Sequence, residues 1–169
     1  MVRTAGTLAL LLALSGAEAR GQTIRVQWDR EVDFSRYQSF AWLEGTAAVD
    51  PEVDRMIVES VENELSVGGI LPDENEPGLY AVYHASAREE FQVGGGYRRD
   101  WEDAGGLKVD SYVAGTLLVE LVDAGENRVV WRAMATATVS GNPKKARARI
   151  PSVIRKMFDG FPPEPPPSP

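Results

Sequence analysis

The sequence predicts an α+β fold in which an antiparallel-rich β-sheet carries two helices on one face. Three observations support this prediction. Segments with period-two alternation outnumber those with helical periodicity, both helical segments open with a capping residue and a proline, and the last two strands flank a short polar turn. The predicted order of elements is β-β-α-β-β-β-α.

The strands are predicted from alternation. In residues 24–28, Ile24, Val26 and Trp28 face one side while Arg25 and Gln27 face the other, which is typical of a half-buried strand. Residues 29–35 are predicted to form a turn, and residues 37–43 and 79–91 two further strands. Residues 111–122 and 128–140 are predicted to pair as a hairpin around the turn at 123–127.

The first helix is predicted near residues 51–67. Asp50 can cap the free amides, and Pro51 suits the first turn, where no amide partner is needed. Gly68 and Gly69 supply a left-handed stop. One apolar stripe recurs at helical spacing: Val53, Met56, Ile57, Val61 and Leu65.

The closing helix repeats the opening signal at Asn142 and Pro143. Its apolar stripe consists of Ile150, Val153, Ile154, Met157 and Phe158. Pro151 lies inside this stripe, and an interior proline costs about 3 kcal/mol. The helix is therefore expected either to kink at Pro151 or to begin there.

The chain is expected to contain one domain, at residues 24–161, between a signal peptide at residues 1–19 and a disordered proline-rich tail at residues 162–169. The signal peptide is predicted from Arg3, from the apolar run at residues 8–14 and from the small-x-small motif at residues 17–19. The run is shorter than the roughly 18 apolar residues of a membrane span. We therefore expect a soluble protein that is periplasmic or secreted.

Charge and composition exclude several classes of function. The net charge is −7, and an acidic chain lacks the basic surface that nucleic-acid binding requires. The sequence contains no cysteine, which excludes thiol catalysis, thiolate metal sites and a lipobox anchor. We therefore expect no nucleic-acid partner and no direct membrane anchor.

No motif supports a catalytic, cofactor or metal site, so none is predicted. The single histidine, His84, could act as a general base, but the sequence contains neither a cysteine nor a G-x-S-x-G serine motif that it could activate. Acidic residues are plentiful at 89, 90, 100, 102, 103 and 110, but they lack the pattern of a calcium loop. The glycines at 94–96 lack the ending of a phosphate-binding loop.

One segment is favoured as an interaction surface. Arg98, Arg99 and Trp101 combine an aromatic ring with cations in a glycine-rich stretch, a composition common at interfaces. The alternative is that Trp101 packs back onto the sheet. The expected partner is an unidentified envelope protein or component, and the oligomeric state stays open.

Four segments resemble the DUF4136 domain proteins of Gram-negative cell envelopes. They are residues 33–43 (DFSRYQSFAWL), residues 64–70 (ELSVGGI), residues 115–124 (GTLLVELVDA) with 129–132 (VVWR), and residues 156–163 (KMFDGFPP). The resemblance implies an α+β envelope domain, often lipid-anchored, of unknown function and without known catalytic residues. This chain differs in lacking the lipobox cysteine and in having Pro151 in the closing helix.

The expected function is a non-enzymatic binding module of the envelope. The first alternative is a carrier for a small apolar ligand or lipid, held in a cavity lined by Met56, Ile57, Val153 and Met157. The second alternative is a hydrolase that uses acidic residues.

Overall fold

The computed structural model describes residues 22–94, 108–139 and 143–164, with side chains at 22–88, 115–138 and 144–164. Six strands form one mixed sheet in the order β1-β6-β5-β4-β2-β3. The strands are β1 (Gln22–Trp28), β2 (Ser39–Trp42), β3 (Leu71–Pro72), β4 (Leu79–Gly94), β5 (Lys108–Asp123) and β6 (Arg128–Val139). The helices are α1 (Pro51–Val67), α2 (Pro143–Arg147) and α3 (Ile150–Met157).

The sheet is antiparallel over most of its area. Strands β1, β6, β5 and β4 form three consecutive antiparallel pairs, whereas β2 runs parallel to both of its neighbours, β4 and β3. This confirms the predicted α+β class and the antiparallel-rich sheet. The turn after Asp123 joins β5 to β6, as predicted, with Asn127 at a positive φ of 51°.

Helix α1 begins and ends as its sequence predicts. The Asp50 carboxylate accepts a hydrogen bond of 2.9 Å from the amide of Glu52. At the other end, Gly69 has a φ of +83°, and the amides of Gly69 and Ile70 donate to the carbonyls of Ser66 and Leu65. This pair of bonds is the Schellman arrangement, which satisfies the last carbonyls of a helix.

The closing helical segment is divided in two. Helix α2 ends at Arg147, and α3 begins at Ile150 with Pro151 in its first turn. A proline is tolerated there because no helical amide partner is required. Of the two predicted outcomes at Pro151, the structure therefore shows a new helix start.

Both long helices pack on the same face of the sheet and bury one core. Ile57, Val61 and Leu65 from α1 meet Ile154 and Met157 from α3, and all five are nearly inaccessible to solvent. The predicted stripe residue Val53 is partly buried against this core. None of the described helices is long and apolar enough to cross a bilayer.

Two elements were not predicted. A short 3-10 helix, Phe34–Arg36, lies within the segment predicted as a turn and is capped by the Asp33 side chain. Strand β3 contains only two residues, one of them a proline, and pairs with the edge of β2 that faces away from β4.

Candidate functional site

An apolar groove of about 580 Å³ lies between the helices and one end of the sheet. This volume falls within the ~300–1,000 Å³ typical of small-molecule sites. The helices contribute Val53, Ile57, Ile150 and Val153 to the groove, and the sheet contributes a floor of small side chains. We call this part of the molecule the open end.

The floor of the groove follows from strand register. Helix-facing positions of β1, β6, β5 and β4 line up in cross-strand rows, because side chains on one sheet face recur every second residue. The row farthest from the groove is Trp28, Trp131, Leu121 and Ala81. The two rows at the groove are Ile24, Ala135, Leu117 and Ala85, followed by Gln22, Ala137, Gly115 and Ala87.

Side-chain volume therefore falls along the sheet toward the open end. Five small residues line the groove at this end: Ala85, Ala87, Gly115, Ala135 and Ala137. A methyl or a hydrogen at each of these positions leaves the space that larger residues fill elsewhere in the core.

The helices that cover the groove, which we call its roof, are held together by ion pairs between α2 and the start of α1. Arg147 of α2 forms a charge-assisted hydrogen bond with Asp50, and its guanidinium also lies 2.6 Å from the Glu52 carboxylate. The hydrogen bond from Arg147 and the amide of Glu52 lower the pKa of Asp50. The α2 segment is thereby held across the first turn of α1.

Two cations line the groove from the α3 side. Arg149 and Lys156 both contribute to its lining and both are solvent-exposed. Within the described part of the chain, neither has an ion-pair partner, in contrast to Arg147. The groove thus combines an apolar interior with positive charge along one side.

The opposite end of the helix–sheet layer, which we call the closed end, is filled by aromatic rings. Trp131 packs against Phe158 and Phe161 with ring centroids 4.7 and 5.4 Å apart, and Phe161 also meets Phe34 at 6.1 Å. Phe34, Trp131 and Phe158 are each at most 4% exposed. Aromatic packing of this kind leaves little space between the layers.

A buried carboxylate completes the closed end. Asp123 is 4% exposed and accepts hydrogen bonds from the Tyr37 hydroxyl at 2.6 Å, from the amides of Gly125 and Glu126 at 2.8 Å, and from Arg36. Burial alone would raise the pKa of Asp123, but these hydrogen bonds lower it to about 2. Burial and the bond to Asp123 raise the pKa of Tyr37 to about 12.

His84 occupies a half-buried position on β4, where it contacts the segment that follows β2. Its Nδ1 lies 2.9 Å from the Thr46 hydroxyl and accepts from the Thr46 amide at 3.2 Å. The backbone of Thr46 also bonds to Tyr83 and Ala85. These contacts give His84 a role in fastening this segment to the sheet.

The neighbouring Tyr83 joins the sheet to α1. Its hydroxyl donates to Asp54, whose carboxylate also accepts from the Ala48 amide at 3.0 Å. Burial and the bond to Asp54 raise the pKa of Tyr83. This link lies beside the groove and positions the start of α1 over the sheet.

The predicted interaction surface of Arg98, Arg99 and Trp101 lies outside the described residues, as do the acidic residues at 100, 102 and 103. Those at 89, 90 and 110 belong to β4 and β5, in the portion where only the backbone is described. Among the described residues, no three histidine or acidic side chains converge as metal ligands would.

The cavity predicted for an apolar ligand is only partly made of the residues expected. Ile57 and Val153 line the groove. Met157 is instead fully buried in the core, and Met56 is not part of the lining. Sequence reasoning missed the alanine floor, for which the signal was the alternation of Ala133, Ala135 and Ala137.

Solved structures share the fold at low sequence identity. A PDZ domain protein from Parabacteroides distasonis matches 85% of this chain with a TM-score of 0.54 and 17% identity, and this chain spans only 36% of that protein. A PelC dodecamer from Paraburkholderia phytofirmans matches 81% of this chain and 94% of its own, with a TM-score of 0.51 and 16% identity. At these identities the likeness concerns the fold alone.

The sequence comparisons identify the family. No curated protein matches the chain. The family model described as "Domain of unknown function (DUF4136)" matches residues 24–163, which include every described strand and helix apart from the first two residues of β1. The chain therefore belongs to the DUF4136 family, as its four sequence segments predicted.

Proposed function

We propose that this protein is a non-enzymatic binding domain of the cell envelope, and that the groove at its open end holds the apolar part of an envelope component. The observation that carries the proposal is the floor of alanine and glycine beneath Val53, Ile57, Ile150 and Val153. Such a floor leaves apolar surface available to a ligand, and burial of that surface favours binding.

The envelope location is supported by the sequence. Residues 1–19 carry the order of charge, apolar run and small-residue motif expected of a signal peptide. Cell fractionation, with the N-terminus of the purified protein determined by mass spectrometry, tests this part. We expect the protein in the envelope fraction with residue 20 at its N-terminus. Recovery from the cytoplasm with residues 1–19 retained would contradict it.

Groove binding is tested with a neutral apolar fluorophore such as N-phenyl-1-naphthylamine. We expect saturable fluorescence enhancement by the wild-type protein and its loss in Ala137→Leu, which places a branched side chain in the floor. Thr136→Leu is the matched control, because it places the same leucine side chain one residue away on the other sheet face. Equal binding by both variants would contradict the proposal.

The absence of catalysis is a separate claim with a separate test. A turnover screen of the purified protein against ester, glycoside and peptide substrates is expected to give no activity above background. Turnover that disappears in His84→Ala would show that the domain is an enzyme.

A further inference from the structure

Positive charge is concentrated beside the groove. Residues 143–158 contain Lys144, Lys145, Arg147, Arg149, Arg155 and Lys156 and no acidic residue, although the whole chain has a net charge of −7. An acidic protein with a segregated cationic segment presents a local potential that attracts anions. That segment forms α2 and α3, which cover one side of the groove.

Arg149 and Lys156 lie on the groove side of this segment. They are seven residues apart, which is two helical turns, or about 10 Å along the axis. Val153 lies between them, and all three line the groove. The long aliphatic stems of arginine and lysine can cover apolar surface while their charged ends stay in water.

The neighbouring arginines of this segment are either paired with carboxylates or lie away from the groove. Arg147 is already bound to Asp50 and Glu52, and Arg155 is exposed without lining the groove. Within the described part of the chain, Arg149 and Lys156 are therefore the groove-lining cations without a carboxylate partner.

The floor favours a hydrocarbon chain over a peptide. Strands β5 and β6 are each paired on both sides, so their backbone groups are already used in the sheet. An extended peptide could not add itself as a strand there, and its polar backbone would be buried against methyl groups at a cost. A hydrocarbon chain carries no such groups.

Resting on the proposed function, we infer that the groove binds a single acyl chain with an anionic headgroup, and that Arg149 and Lys156 bind the headgroup. A guanidinium matches carboxylate and phosphate with paired hydrogen bonds, and an ammonium adds a second charge contact. A free fatty acid and a lysophospholipid share this chemistry. The acyl chain lies along the alanine floor and the anion lies at the α3 side.

The inference is tested by isothermal titration of the purified protein with dodecanoate, dodecyl maltoside and dodecyltrimethylammonium, each below its micellar concentration. Dodecanoate is expected to bind at least about ten times more tightly than the cationic amphiphile. Lengthening the fatty acid is expected to tighten binding, by up to about fourfold per methylene, until the groove is filled.

The variant Arg149→Gln/Lys156→Gln is expected to weaken dodecanoate binding at least about tenfold and to leave dodecyl maltoside binding unchanged. The matched control, Arg88→Gln/Arg155→Gln, removes the same net charge from exposed residues that do not line the groove, and should bind dodecanoate like the wild type. Titration with lysophosphatidylglycerol then distinguishes a phosphate headgroup from a carboxylate.

Equal affinity for all three headgroups would overturn this inference and leave the proposed function standing. Failure of every amphiphile and of the neutral fluorophore would overturn both. Light scattering provides a further check: a dimer that Ala137→Leu converts to monomer would show that a second copy covers the groove, and would also overturn the inference.

Discussion

The open and closed ends of the helix–sheet layer share the same strands and helices but have opposite contents. At the closed end, Trp131, Phe34, Phe158 and Phe161 fill the space between the layers, and the buried Asp123 ties the sheet to Arg36 and Tyr37. At the open end, the same strands present mainly alanine and glycine, and a groove of about 580 Å³ remains.

The contrast teaches that side-chain volume differs between the two ends of one layer pair, and that the groove lies where the side chains are small. The aromatic end and the fully buried helix residues hold the layers together, so the open end does not need to be filled for the domain to fold. Ion pairs from Arg147 to Asp50 and Glu52 keep the roof in place over the gap.

The largest effect is expected where the two ends share their core. Ile154→Asp and Leu65→Asp each place a charge at a position that is 0% exposed, with no partner to compensate it. The cost is several kcal/mol, enough to unfold a typical domain. Circular dichroism and thermal melting check this, and an unchanged melting temperature in either variant would show that the helix face is misassigned.

The second-largest effect on stability is expected at the closed end. Trp131→Ala removes a ring that is 2% exposed and should lower the free energy of unfolding by about 3–5 kcal/mol. Denaturant titration measures the loss. Binding of the neutral fluorophore by the folded variant should stay near wild type. Loss of binding in a fully folded sample would show that the groove depends on the closed end.

Acid should weaken the closed end. The pKa of Asp123 is about 2 in the fold, against ~3.9 in an unfolded chain, so its contribution of about 2 kcal/mol is present above pH 4 and is lost as the pH falls toward 2. Tyr37→Phe removes one hydrogen bond and should make this acid loss smaller. Urea titrations between pH 2 and pH 6 measure the difference, and parallel pH profiles would contradict the assignment.

Filling the open end should change stability little. Ala137→Leu adds apolar volume where the wild type has free space, so the free energy of unfolding should change by less than about 1 kcal/mol in either direction. Denaturant titrations of Ala137→Leu and Trp131→Ala under the same conditions compare their free energies of unfolding directly. A loss as large as that of Trp131→Ala would mean that the floor is already packed.

The smallest effect is expected at the C-terminus. Deleting residues 162–169 should leave the melting temperature unchanged, because a proline-rich end joins neither a helix nor a strand ladder. Scanning calorimetry of the truncated and full chains tests this. A clear drop would show that the tail packs against the domain.

Local signals in the sequence predicted much of the fold. Asp50, Pro51 and Gly69 mark the ends of α1, and the polar turn between β5 and β6 marks the hairpin, because capping and turn chemistry depend on adjacent residues. Strand β3 escaped prediction because a two-residue pairing that includes Pro72 has no periodicity of its own.

Two helix residues of the groove, Ile57 and Val153, were predicted, but its floor was not, because the floor depends on the register between strands. Ala87, Gly115 and Ala137 form one row only when β4, β5 and β6 pair in the observed register, and the turn between β5 and β6 predicts the hairpin but not this row. The alternating alanines of β6 were a signal for a small-residue face, but they do not specify which element lies opposite. The pairing of Arg147 with Asp50 could not be predicted either, because the two residues are far apart in the sequence.

The central claim is that the open end binds an apolar chain and the closed end does not. Nitrogen–proton correlation spectra recorded during titration with dodecanoate test it directly. We predict shift changes at Ala85, Ala87, Ala135, Ala137 and Val153, with Phe34, Asp123 and Phe161 unmoved. Changes confined to the closed end, or no saturable change anywhere, would contradict the account.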